Sequence, residues 1–145
     1  MEHHLYAVVA NGAMARILRR GPERSQGWSE IECLLHPEAR HHAQDDTSQR
    51  HGNQATDRSG LAPRQSRGQH ERQAFAREVG TLLQQHLQGP HSPPLVVFAS
   101  TPFLGELLAQ LDDGTRRHLH SHHASDLTAL SLDSLSHRLR EDFHL

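Results

Sequence analysis

Residues 5–16 read Leu-Tyr-Ala-Val-Val-Ala-Asn-Gly-Ala-Met-Ala-Arg, and this stretch decides the fold. The apolar, β-favouring run Leu5–Ala10 predicts a strand. Asn11-Gly12 closes it, the pair that best supplies the positive φ angles of a tight hairpin turn. A second strand is therefore expected at once, from Ala13 to Arg20, where Gly21-Pro22 ends the pattern.

The next apolar segment, Trp28–Leu35, predicts a third strand. Its alternation places Ile31, Cys33 and Leu35 on one face and two glutamates on the other. Cys33 is then expected to be a buried core side chain. Three consecutive antiparallel strands are the simplest arrangement.

Beyond residue 69 the chain alternates helices and strands. The continuous apolar run Leu95–Ala99 predicts a strand buried on both faces near the centre of the sheet. A poorer, histidine-rich strand is expected at a sheet edge. Helical spacing of apolar residues predicts the three remaining elements. The three helices are one from His70 to His86, one capped by Thr101 with Pro102 at its first position and one beginning at Ser131, and the edge strand is Arg117–Ala124.

The element order is β-β-β-α-β-α-β-α, which is that of a ribonuclease H-like three-layer α/β domain with a mixed sheet. Residues 36–69 interrupt this order. They contain almost no aliphatic residue, so they cannot form a core of their own. This composition predicts a long polar loop, either functional or disordered. The 145 residues suffice for one domain, spanning 1–145.

The amino-acid composition excludes several classes of protein. The formal net charge is -2, and all 15 basic residues other than histidine are arginine, which either binds phosphate or reflects codon usage. A single cysteine excludes internal disulfides and a cysteine-rich zinc site. The N-terminal apolar run is too short for a signal peptide or a membrane span, so a cytoplasmic location and no membrane partner are expected.

Two kinds of metal site are relevant to this sequence. A ribonuclease H-type nuclease needs a carboxylate in its first strand, and Leu5–Ala10 has none. His118, His120 and His122 alternate along the predicted edge strand, a spacing that can bind zinc or nickel. The alternative is a solvated strand in a histidine-rich protein, with adventitious zinc or nickel binding and no resident cofactor.

Several polar residues are candidates for binding RNA or another anion. Thr101 precedes a helix N-terminus that follows the buried strand, although helix capping alone also explains it. Arg16 lies on a strand face, and the polar segment carries further arginines that could neutralise phosphates. The full candidate set is Asn11, Arg16, Arg40, Arg50, Arg58, Arg64, Arg67 and Thr101.

Five segments together resemble the bacterial host attachment protein family. They are Val8–Arg16, Leu34–Glu38, Glu71–Glu78, Pro102–Leu107 and Asp126–Thr128, in the family's order. That family resembles the middle domain of archaeal and eukaryotic class 1 release factors, which has a ribonuclease H-like fold. The resemblance therefore implies the same fold as the element order.

In those release factors a Gly-Gly-Gln loop promotes peptidyl-tRNA hydrolysis, and this chain has Gly52-Asn53-Gln54 at a comparable place. Asn replaces the second Gly, whose backbone freedom it lacks. The resemblance thus makes Gln54 the catalytic candidate, whereas the departure at Asn53 favours a protein that is not an enzyme.

Three functions are consistent with these observations. The leading hypothesis is a non-enzymatic domain that associates with RNA or the ribosome. The alternatives are a host-attachment or protein-interaction factor and a peptidyl-tRNA hydrolase acting through Gln54. The sequence leaves the partner and the oligomeric state open.

Overall fold

A computed structural model of the chain describes residues 4–23, 25–36, 57–88 and 92–145, with the backbone alone for 57–66. Within these ranges the chain forms an α/β domain with one five-stranded mixed sheet. The strands are β1 (Leu5–Ala10), β2 (Met14–Arg20), β3 (Trp28–Leu35), β4 (Leu95–Ala99) and β5 (Leu119–His123). The helices are α1 (Asp57–His86), α2 (Thr101–Gln110), α3 (Asp113–Arg117) and α4 (Leu132–Phe143).

The strand order is β3-β2-β1-β4-β5. The three early strands are antiparallel neighbours, as predicted, whereas β4 and β5 run parallel to β1. The central strand is β1, and β4, expected at the centre, lies beside it. Strands β1, β3, β4 and β5 therefore end at the same side of the sheet. We call that side the carboxyl edge and the opposite side the amino edge.

Helices cover both faces of the sheet. Alternate residues of β1 and β4 point to opposite faces, as the period of a strand requires. Val8 and Val97 pack with α1 and α2, whereas Val9 and Phe98 pack with α4. All residues of β1 and β4 are buried. The sheet is thus sandwiched between helices, and its two central strands form the middle of both cores.

The hairpin between β1 and β2 forms as expected, but not with the expected backbone. Gly27 and His144 are the described residues with positive φ, so neither Asn11 nor Gly12 uses that region. Instead, the Asn11 side-chain oxygen accepts hydrogen bonds from the backbone amides of Ala13, at 2.8 Å, and Met14, at 2.9 Å. An asparagine side chain that bonds its own turn in this way replaces the glycine-dependent geometry.

The predicted faces of β3 are wrong because the strand contains a bulge. Ile17 pairs with Glu32 and Leu18 pairs with Glu30, so Ile31 has no partner of its own. One extra residue moves every later side chain of the strand to the opposite face of the sheet. Cys33 is consequently exposed instead of buried, and Glu30 reaches Arg16 on the face that α4 covers.

Helix α1 begins at Asp57, well before the predicted start at His70. Residues 57–69 therefore belong to a helix and not to the predicted polar loop. At 1.5 Å per residue, the 30 residues of α1 span about 45 Å. Residues 37–56, the rest of that predicted loop, lie outside the described residues.

The later elements differ from the prediction in small ways. The N-cap of α2 is Ser100 and not Thr101, with Pro102 at the second helical position instead of the predicted first. The short helix α3 was not predicted, whereas α4 is capped by Ser131 as expected. None of the helices in the described ranges is long and apolar enough to cross a membrane.

Candidate functional site

Asn11 lies at the carboxyl edge, directly after β1, and connects the hairpin to the segment that follows β5. Its Nδ2 donates to the Asp126 carboxylate at 3.0 Å and to the Thr128 hydroxyl at 3.1 Å. Its Oδ1 accepts the two hairpin amides already described. One side chain thus fixes both the turn after β1 and the position of a segment 115 residues further along the chain.

Arg16 reinforces the same connection from the next strand. Its Nε donates to Glu30 at 2.8 Å, and its Nη1 donates to the backbone carbonyls of Thr128, at 3.0 Å, and Leu130, at 2.6 Å. Nη2 forms an ion pair with Glu30 at 2.7 Å. Because Arg16 is buried and its donors are directed at these groups, an anion could bind it only by displacing Glu30.

Asp126 supplies the negative charge of this cluster. Partial burial raises the pKa of the carboxyl, but hydrogen bonds from the Thr128 hydroxyl, Asn11 and the Thr128 amide together lower it below its ordinary value. The Thr128 hydroxyl donates to Oδ1 at 2.6 Å. Asp126 is therefore ionised at neutral pH, and it presents an exposed carboxylate at the carboxyl edge.

A second group of contacts lies on the other face of the same edge. The His36 ring, just past β3, stacks on Phe75 of α1 with ring centroids 4.9 Å apart, and Phe75 contacts Phe103 of α2. His36 Nε2 lies 3.1 Å from a Glu71 carboxylate oxygen. The backbone amide of His36 donates to Ala13 in the hairpin at 2.8 Å, which joins the two groups of contacts.

We call these joined contacts the carboxyl-edge network. It contains at least one residue from each of the five segments that carry the family resemblance. Sequence reasoning missed the network, because its contacts join residues far apart in the chain. The presence of Asn11 and Asp126 in the resembling segments was the signal that could have revealed it. The members are Asn11, Ala13, Arg16, Glu30, His36, Glu71, Phe75, Phe103, Asp126 and Thr128.

Most polar atoms of the network form hydrogen bonds with one another. The network therefore holds a surface in place and is not a set of exposed reactive groups. Thr101 lies on that surface, exposed in the first turn of α2. Gly12 faces α1 there, since a Cβ added to it would lie 3.9 Å from Arg72 Cγ. The network therefore holds this surface in one geometry, at the edge where ligands of open α/β sheets commonly bind.

Helix α1 continues past this surface. It runs opposite to β1, because His86 contacts Tyr6 at the start of β1 and Phe75 lies at the carboxyl edge. The turns that precede Glu71 therefore extend beyond the sheet, and residues 57–71 span about 21 Å.

The predicted arginine sites are divided between this projecting helix and the undescribed segment. Arg67 is exposed on the projecting part of α1. Arg58 and Arg64 lie on the same part by their backbone positions. Arg40, Arg50 and Gln54 lie outside the described residues, so their predicted roles stay predictions.

The predicted histidine site has a different geometry from the one expected. His118 caps α3 and does not belong to β5. A register shift in β5 follows Leu119, which breaks the alternation that would place His118, His120 and His122 on one face. In the described part of the chain, no three histidine, cysteine or acidic side chains form a group that could hold a metal ion.

A histidine that the sequence did not single out has the most distinctive environment. His123 stacks on Phe98 with centroids 4.9 Å apart and also contacts Phe143 of α4. Burial lowers the pKa of His123 below its ordinary value, and the neighbouring His122 and His120 lower it further. This ring is a neutral packing element at physiological pH.

The family model described as "Protein required for attachment to host cells" matches residues 6–139, which include every element from β1 to most of α4. The match therefore covers the sheet, both cores and the carboxyl-edge network. A search of curated proteins finds no match.

Proposed function

The chain belongs to the family of proteins required for attachment to host cells, and we propose that it acts in attachment as a protein-interaction factor. The carboxyl-edge network, with Thr101 and the projecting turns of α1, forms the docking surface. The family match across 6–139 is the observation that carries this proposal. The network supports it, because it keeps a surface rigid without needing a catalytic group.

The surface has the properties that protein docking requires. Its backbone is held in one conformation by the Asn11 and Arg16 hydrogen bonds, so little entropy is lost when a partner binds. Its rim offers charges of both signs, with Asp126 on one side and Arg67 on the other. Such mixed charges fix the orientation of a partner more than they raise affinity.

A complementation experiment tests the attachment role. Bacteria that lack the gene are supplied with the wild-type protein, Arg67→Glu or the control Arg77→Glu, and those bound to host cells are counted. Both arginines are exposed on α1, but residue 77 lies about 15 Å closer to the amino edge. We expect attachment to be lost in the deletion strain and in the strain supplied with Arg67→Glu. Wild type and Arg77→Glu should restore it. Undiminished attachment by the deletion strain would refute the role.

A second candidate function is association with RNA or the ribosome. The observation that favours it is the helical start at Asp57, which places Arg58, Arg64 and Arg67 on one projecting helix. The strand order β3-β2-β1-β4-β5 supports our inference of a ribonuclease H-like layout, as in the release-factor middle domains. Phosphate contacts made by these arginines would weaken steeply with salt.

Cosedimentation with ribosomes at low and high salt distinguishes the two candidates. RNA association predicts that the protein pellets with ribosomes at low salt and that Arg67→Glu reduces the pelleted amount. Protein docking predicts that the protein does not pellet with ribosomes. The hydrolase hypothesis rests on Gln54 alone, and unchanged peptidyl-tRNA hydrolysis by Gln54→Ala would contradict it. We place the protein in the cytoplasm, from which its effect on attachment is indirect, and cell fractionation tests that location.

A further inference from the structure

The amino edge carries a groove that the proposed attachment surface does not use. It lies between the last turn of α1 and the helix α3, and its volume is about 620 Å³. The groove is thus in the size range of small-molecule sites. Its position is fixed from both sides, because Leu83 of α1 and Leu87 just past its end pack in the core, and the His118 carbonyl accepts the Leu95 amide of β4 at 2.7 Å.

The floor of the groove is small and apolar. Leu87 and Thr115 line it and are both almost completely buried. Thr115 is held by Asp112, whose Oδ1 accepts the Thr115 amide at 2.8 Å. Hydrogen bonds from the Thr115 hydroxyl and amide lower the pKa of Asp112, so its carboxylate is an acceptor at neutral pH.

The walls of the groove carry planar side-chain groups that donate and accept hydrogen bonds. Gln84 of α1 and Gln88, two residues past its end, each present a carboxamide, which both donates and accepts. Arg117 and His118 face them from α3. Within the described chain, no hydrogen bond or ion pair involves the Arg117 guanidinium, whereas the adjacent Arg116 binds the carbonyls of Leu111 and Leu108. Arg117 is therefore available to a ligand.

The charges of the groove select the class of ligand. One carboxylate, Asp112, balances one guanidinium, Arg117, so neither an anion nor a cation is favoured overall. Carboxamide, carboxylate and guanidinium groups each bind a pair of adjacent hydroxyls through two parallel hydrogen bonds. A neutral compound that carries vicinal hydroxyls on a small apolar ring face satisfies both the walls and the floor.

We propose that this groove is a binding site for a neutral sugar, either free or as the end of an oligosaccharide. Gln84, Gln88, Asp112 and Arg117 hold the hydroxyls, and Leu87 contacts the ring. Because the groove is open to solvent and small in contact area, millimolar affinity is expected. The site is independent of the carboxyl edge and of the attachment role.

Two-dimensional NMR of the full chain tests the proposal. Glucose, galactose, mannose and N-acetylglucosamine are titrated to high millimolar concentration, each also as a disaccharide to separate free from terminal sugars, with inorganic sulfate as the anionic comparison. For at least one sugar we expect saturable shifts of the Gln84 and Gln88 side-chain amides. Arg117→Ala should weaken that binding by about tenfold, a difference of about 1.4 kcal/mol.

The control is Arg138→Ala on α4, which removes an exposed arginine far from the groove and should leave sugar binding unchanged. The four side chains to be altered or observed, Arg117, Arg138, Gln84 and Gln88, are exposed, so folding is expected to persist and is checked in the same spectra. The proposal is overturned if no sugar in either form shifts the groove resonances, or if sulfate shifts them equally well. It is also overturned if Arg117→Ala binds as the wild type does.

Discussion

Replacing Asn11 with alanine removes four hydrogen bonds from the carboxyl-edge network. Two join the hairpin to Asp126 and Thr128, and two lie within the turn, to the amides of Ala13 and Met14. A hydrogen bond contributes roughly 0.5–1.5 kcal/mol net, and less where water can replace the partner. We therefore expect Asn11→Ala to lower the free energy of unfolding by about 2–4 kcal/mol.

Asn11→Asp separates the two halves of this effect. Aspartate keeps the acceptor for the Ala13 and Met14 amides, but it loses both donors and places a carboxylate beside Asp126. We expect it to be destabilised by a smaller amount than Asn11→Ala at neutral pH, because both turn bonds remain. The repulsion between the two carboxylates should fade as acid protonates the pair, so the deficit relative to wild type should shrink.

Urea denaturation measures both variants, with the free energy of unfolding obtained from the midpoint and slope. A double-mutant cycle of Asn11→Ala with Thr128→Ala should show a coupling energy of about 1 kcal/mol, since the side chains bond directly. Asn11→Ala within about 0.5 kcal/mol of wild type, a typical effect of an inert surface change, would refute the reasoning.

Three further predictions concern single side chains. Arg16→Met should cost about 3 kcal/mol in urea denaturation, because it leaves the Glu30 carboxylate and two carbonyls without their donor; a neutral effect would show that the ion pair is dispensable. The folded-state pKa of Asp126 lies below 3.8, so its contribution to stability is present above that pH and is lost as pH falls through the folded value. Asp126→Asn should therefore flatten the acid limb of the stability curve, and an unchanged limb would count against it. The pKa of His123 lies below 6.5, so the free energy of unfolding should fall as pH drops below that value, and His123→Phe should reduce this loss.

Strand positions were predictable where the sequence carries a local signal. The bounds of β1, β3 and β4 follow from apolar or alternating runs that are bordered by Asn11, Gly27 and Pro94 respectively. The faces of β3 were not predictable, because one unpaired residue, Ile31, changes the register and no local pattern announces it. The same limitation applies to the histidines of β5.

The start of α1 was missed for a different reason. Residues 57–69 have almost no aliphatic side chains, so they lack the apolar spacing that identifies a helix lying on a sheet. Gly60 and Pro63 also argue against a helix there. A segment that projects beyond the sheet has no core to face, and its polar sequence reflects that position.

The site was predicted only in part. Asn11, Arg16 and Thr101 were identified as candidates, and the structure brings them to one edge of the sheet. The roles of the first two in holding the network follow from contacts with residues 126–130, which no local pattern reveals. Family resemblance marked those segments without indicating that they meet.

The most direct test of the carboxyl-edge docking surface uses a charge change on one helix. Thr101→Glu places a carboxylate at the exposed start of α2, where the helix dipole tolerates it. The control, Ala109→Glu, alters an exposed residue about 12 Å along the same helix. In the deletion strain, the account predicts loss of attachment to host cells with Thr101→Glu and full attachment with Ala109→Glu. Equal attachment by the two variants, at equal protein levels, would contradict it.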